Sequence, residues 1–176
     1  MKFVKILLVI LVLLVAIFFI GGQFLPDSYN VTRMTTIKAS DSVVYKNVVD
    51  FNDFLKWNPW TRMEPGASVK VTGEAGKPGH FYQWSGEDLG KGNMKLLEVK
   101  PYSAADFELM FEEPLESKAQ CHFSFEKVSD GTQVTWNMQG QSNDALDKWM
   151  YLTMDNMLGK DFDSGLKNLK ELLEKN

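Results

Sequence analysis

The chain opens on one apolar block and then changes rhythm. Ile6 to Ile20 is an unbroken run of 15 apolar residues, extended by Phe3 and Val4 before it and by Gly21, Gly22, Phe24 and Leu25 after it. A helix from Phe3 to Leu25 would measure roughly 34 Å at ~1.5 Å per residue, enough to cross a ~30 Å hydrocarbon core. Lys5 sits near the end of the stretch, where its stem can snorkel to the headgroups. Pro26 ends the span, because it lacks an N–H and restricts Leu25. Lys2 and Lys5 precede the block and Asp27 follows it. The positive-inside rule then puts the N-terminus in the cytoplasm and the remainder on the extracytoplasmic, periplasmic side of a cytoplasmic membrane. A cleaved signal peptide is the rival reading. The run is at the upper limit for its apolar region, and Phe19 to Gln23 holds no Ala-x-Ala site, so an uncleaved single-pass anchor is expected. No cysteine follows to make a lipoprotein, and a buried core helix would need amphipathic neighbours.

After residue 26 the pattern is short-period. Tyr29 to Lys38 alternates and predicts a strand. Asn30-Val31-Thr32 matches a glycosylation acceptor but lies in that strand and carries little weight. Ser40 suits the N-cap of a short helix with Val43, Val44, Asn47 and Val48 at helical spacing, and Phe51 to Trp57 suits a second, stopped by Asn58-Pro59. Strands follow over 67–73, 80–85 and 93–99. Three more alternate strictly: Ala105, Phe107, Leu109 and Phe111; then Ala119, Cys121, Phe123 and Phe125; then, past the Asp130-Gly131 hairpin signal, Val134, Trp136 and Met138. Such alternation predicts an antiparallel sheet with one wet and one covered face. The cover is a helix of about eight turns over Asp144 to Glu174, with Leu146, Met150, Met154, Met157, Leu158, Phe162, Leu166, Leu169 and Leu173 as its stripe. Gly159 and Gly165 would permit a bend or a close approach. The expectation is an α+β fold, its sheet curled around the final helix, with 1–26 as anchor and 27–176 as domain.

Composition adds exclusions. Of 176 residues, 44% are apolar and 24% charged, as in ordinary globular chains, and a single cysteine excludes an internal disulfide. Residues 1–20 hold two lysines and no acid, which leaves 17 basic against 23 acidic side chains, a net of −6, on the other 156. An acidic domain is a poor partner for phosphates, so nucleic acid is not expected. No H-E-x-x-H, paired-cysteine or G-x-S-x-G motif appears, and neither cofactor nor metal is expected.

Six segments, in this order, resemble one family: Phe51 to Trp60 (FNDFLKWNPW), Tyr82 to Gly86 (YQWSG), Gly90 to Met94 (GKGNM), Phe111 to Leu115 (FEEPL), Gly131 to Met138 (GTQVTWNM) and Met154 to Lys170 (MDNMLGKDFDSGLKNLK). The chain is similar to the START-like (SRPBCC) superfamily, which groups polyketide cyclases and dehydrases with lipid-transport proteins, and more narrowly to its membrane-anchored bacterial branch. The resemblance implies a helix-grip fold of about seven strands, two short helices after the first strand, and a cavity between sheet and final helix. It implies apolar ligands and brings no fixed catalytic motif.

The residues expected to face that cavity are His80, Tyr82, Trp84, Met94, Phe107, Phe111, Phe123, Phe125, Trp136 and Met138 from the strands. Met150, Met154, Met157 and Leu158 would face them from the helix. Methionines adapt to varied apolar shapes, yet the same residues also suit a filled core. Trp57 and Trp60 would border the mouth as a gate or brace the short helices. A lone inward His80 suits a structural hydrogen bond; His122 should meet solvent, and Cys121 should be a small buried hydrophobe. The aspartates at 144, 147, 155, 161 and 163 read as a solvated face with Lys148, Lys160 and Lys167. Three functions stay open. The first is a membrane-held binder of a hydrophobic small molecule or lipid. The second is a cyclase/dehydrase-type enzyme using His80, Tyr82 or Glu98 as acid or base. The third is a filled domain acting through protein contacts.

Overall fold

A computed structural model describes residues 2–175. The chain runs α1 (Lys2–Gly22), β1 (Ser28–Ile37), α2 (Asp41–Val49), α3 (Phe51–Phe54), α4 (Pro59–Met63), β2 (Ser68–Thr72), β3 (Phe81–Ser85), β4 (Lys91–Lys100), β5 (Ala104–Glu113), β6 (Ser117–Val128), β7 (Gly131–Gln141), α5 (Ala145–Tyr151) and α6 (Met154–Glu174). The strands form one curved antiparallel sheet in the order β1-β7-β6-β5-β4-β3-β2. This is the helix-grip arrangement. The α1 helix is long and apolar enough to cross a membrane, and none of its apolar window is buried by the rest of the chain.

Alternation sets the inner face. Register places Phe107 opposite Cys121, Cys121 opposite Met138, and Phe123 opposite Trp136, so one ring or sulfur stands beside the next across three strands. A bulge at Leu96/Glu98 shifts the phase of β4, leaving Leu96 buried and Glu98 exposed on the outer side. Glu98 is thereby removed as an inward acid.

The final helix differs from the single eight-turn rod expected. It breaks at Leu152–Thr153 into α5 and α6. Two surfaces claim its two halves, and a straight helix cannot serve both. Trp149 on α5 stacks on Phe18 of α1, while Phe162 on α6 stacks on Trp136 of the sheet at 4.0 Å and 8°. The stripe breaks with it: Phe162, Leu166 and Leu169 are buried, whereas Leu146 lies open and Met157 is 59% exposed. The two glycines serve close approach. A Cβ on Gly165 would come within 3.0 Å of both Pro59 and Trp136, and Arg33 lies directly over Gly159. From there Arg33 binds Asp155 at 2.9 Å and Asp163 at 3.3 Å, so β1 supplies a cation in place of the expected lysines. Asp161 also gains a partner, the indole N–H of Trp60 at 3.1 Å.

A third short helix, α4, was not apparent in the sequence pattern. Asn58 caps it by accepting the Trp60 N–H at 3.0 Å, and Pro59 takes the first helical position, where its missing N–H costs nothing. Asp50 likewise caps α3 through the Asn52 N–H at 3.0 Å.

Candidate ligand pocket

A cavity of about 220 Å³ lies against the inner face of the sheet. Its deep wall is buried: Phe54, Asn58, Tyr82, Met94, Leu109, Cys121, Trp136 and Met138. Trp60, Trp84, Phe111 and Leu89 are half-buried, and Asp88 is exposed, so the mouth lies on their side. The volume is below the ~300–1,000 Å³ of pockets for drug-sized ligands. It suits one ring or a stretch of chain. The cavity is roofed by α3, α4 and the 86–90 loop, and α6 does not line it. The gap expected between sheet and final helix is filled by Phe162 on Trp136.

One carboxylate ties the 86–90 loop to the short helices. Glu64, just after α4, accepts the N–H groups of Glu87, Asp88 and Leu89 at 2.7, 3.1 and 2.9 Å. These bonds, led by that from Leu89, hold its carboxyl below the ordinary value of 4.5. A depressed folded value means the tie is fully present above the ordinary carboxylate range and is lost as pH falls through the folded value. Glu64→Gln is therefore expected to speed hydrogen exchange at the 87–89 amides at neutral pH while the central strands stay protected. An acid titration should shift the Glu87 and Leu89 amide resonances with a midpoint below 4.5. A midpoint at or above it would remove the tie from the account.

The groups inside are chemically quiet. Burial pushes the Cys121 thiol up to about 12, and its sulfur takes the Trp136 indole N–H at 3.0 Å. Burial also pushes the Tyr82 phenol up to about 12. Both are protonated at neutral pH. Asn58 spends its side-chain oxygen on the α4 cap.

Seven of the expected residues meet at the cavity: Trp60, Tyr82, Trp84, Met94, Phe111, Trp136 and Met138. The others lie elsewhere. Phe107, Phe123 and Phe125 are buried in the core beyond its wall, and Trp57 braces α2 by donating its indole N–H to the Asn47 carbonyl at 2.8 Å. His80 precedes β3, stacks on Phe51 at 4.7 Å, and accepts the Phe51 N–H on Nε2 at 3.0 Å. Its other nitrogen, Nδ1, then donates to the Thr72 carbonyl at 3.0 Å. Both ring nitrogens are spent on backbone, so it is a structural histidine. Met150, Met154 and Leu158 pack partly buried outside the cavity, and Met157 faces water. Leu109 and Cys121 were legible as inward by alternation. Phe54, Asn58, Asp88 and Leu89 come from the roof, which has no periodic signal. Among the described residues no cluster of three or more His, Cys, Asp or Glu could hold a metal ion.

Residues 28–174 match the model of the family described as polyketide cyclase / dehydrase and lipid transport. The chain belongs to that family. No curated protein matches it. Among solved structures it is similar to protein MLL2253 from Mesorhizobium loti, with 13% identity and a TM-score of 0.62 over 84% of this chain and 98% of that one. It is similar to Ara h 8.0201, with 13% identity and a TM-score of 0.57 over 85% and 99%. It also resembles the di-domain ARO/CYC StfQ of the steffimycin biosynthetic pathway, with 10% identity and a TM-score of 0.61 over 84% of this chain and 52% of that one. At these identities the likeness is one of fold.

Proposed function

We propose that the protein is a membrane-anchored binder of a small hydrophobic molecule, of the lipid class, and that the 220 Å³ cavity is its site. In this reading residues 1–26 are the anchor, with the N-terminus cytoplasmic, and 27–176 form the binding domain outside. The observation that carries the proposal is the cavity wall: aromatic rings and thioethers around a volume whose thiol and phenol are held neutral. Apolar surface removed from water supplies the affinity there, at roughly 25 cal/mol per Å² before the costs of association. The family's lipid-transport description agrees with it. The same description also covers cyclases and dehydrases, but such chemistry needs an acid or base near its working pH. Cys121 and Tyr82 do not supply one, and His80 is committed to backbone. The test is saturable uptake of a neutral apolar fluorophore by the full chain, measured against a variant whose cavity is filled. Partition into detergent or bilayer is common to both and cancels. Equal uptake by the two would overturn the reading.

A further inference from the structure

Strand polarity places the cavity mouth and the apolar helix at the same end of the domain. β1 starts at Ser28, just after α1, and runs away from it. Antiparallel pairing then gathers Ser28, Gln141, Ser117, Glu113, Lys91, Ser85 and Ser68 at the near end of the sheet. The far end, with Ile37 and the Asp130 hairpin, lies roughly 30 Å away at ~3.3 Å per residue. The mouth residues belong to the near end. Trp84 is one residue from the end of β3, Phe111 is two from the end of β5, and Leu89 lies in the loop between β3 and β4.

A second contact fixes this end against α1. Only Gln23 to Asp27 separate Gly22 from Ser28, a reach of at most about 22 Å, and Ser142 N–H binds the Asp27 carbonyl at 2.9 Å. Ala145 packs on Gly22 and Trp149 on Gly21. The Trp149 ring stacks on Phe18 at 6.2 Å and 17°, and its N–H donates to the Phe18 carbonyl at 3.1 Å. Thus α5 runs back along α1 by about one turn, alongside the apolar run, before the chain bends at Leu152–Thr153. Apolar side chains stand open at this end: Phe24, Leu115 at 48% exposure and Leu152 at 51%.

We infer that the α1-side end of the domain rests in the interfacial layer of the bilayer, so that the cavity mouth faces lipid and its ligand enters from the membrane. The inference rests on reading Lys2–Gly22 as a bilayer span. Asp27, Glu87, Asp88, Glu113, Glu116, Asp144 and Asp147 outnumber Lys91, Lys118 and Lys148 at this end, so anionic headgroups do not attract it. The tether and the apolar side chains hold it, at headgroup depth, equally well on neutral phosphatidylcholine.

The test uses the full chain in phosphatidylcholine vesicles with a thiol-reactive environment-sensitive fluorophore at Leu115→Cys, Leu152→Cys, Asp130→Cys or, within α1, Leu13→Cys. Native Cys121 is buried, and the labelled parent chain gives the blank. A nitroxide on the lipid headgroup should quench the labels at 115 and 152 and shift their emission to the blue, and leave 130 unchanged. A second set of vesicles carries the nitroxide on the acyl chain, at the depth of residue 13. If 13 responds to that acyl-chain quencher while 115 matches 130 with the headgroup quencher, the span is real and the facing mouth is wrong, whatever 152 does. If 13 does not respond to the acyl-chain quencher, the span fails and the inference falls with it.

Discussion

Phe162→Ala is expected to cost about 3–5 kcal/mol of stability, the range for deleting a buried aromatic ring. Phe162 is fully buried, lies flat on Trp136 at 4.0 Å, and meets Trp60 edge-on at 6.3 Å. Trp136 in turn stacks on Phe123 at 5.0 Å and meets Trp57 edge-on at 5.7 Å. One ring on α6 therefore secures the helix, the sheet and the roof together. Alanine would leave a void between α6 and β7 that neither rigid element can close. Against a total of about 5–15 kcal/mol, that loss brings the domain near unfolding. Urea denaturation of the full chain in detergent, followed by tryptophan fluorescence, reads it as a lowered midpoint. Met157→Ala, on the open side of the same helix, should stay within about 0.5 kcal/mol of the parent. Equal midpoints for the two variants would mean that α6 is not held by this stack.

Met138→Trp is expected to lower affinity for the apolar fluorophore about tenfold or more, ~1.4 kcal/mol per decade. Met138 stands in the deep wall opposite Cys121, and an indole there occupies the space the ligand needs. A strand position accepts an aromatic side chain readily. The ring enters a void, so the stability cost should be at the low end of the ~1–3 kcal/mol seen for overpacked cores. Leu109→Phe adds less bulk to the same wall and should weaken uptake less. Uptake that is saturable and unchanged in both variants would place binding elsewhere on the molecule. Lost uptake with a denaturation midpoint lowered by no more than that cost would separate occlusion from unfolding.

Much of the sheet was readable because its physics is local. In a strand, successive side chains point to opposite faces, so Phe107, Leu109 and Phe111 declare a common face without any partner. Seven strands and their order in the chain follow from such runs and the turn signals between them. The roof was not readable for the same reason. Asn58, Glu64 and the 86–90 loop act through caps and long-range carboxylate bonds, and these leave no period in the chain. His80 shows the cost of reading by parity alone: it falls in phase with Tyr82 and Trp84 but precedes the strand, and its ring is captured by Phe51 and Thr72.

The final helix divides the two kinds of information most clearly. Its apolar spacing and its propensity are properties of neighbouring residues, and they predicted a helix over nearly the right span. The break at Leu152–Thr153 arises from competition between Phe18 and Trp136 for different halves of that helix, and neither residue is near it in the chain. By itself the amino-acid order determined an apolar span, an alternating antiparallel sheet and an amphipathic closing segment. Tertiary packing alone decided that Phe162 would fill the space under α6, which left the cavity to the short helices and one loop. Burial is a contest for shared volume, and only the assembled chain shows which side chain wins it.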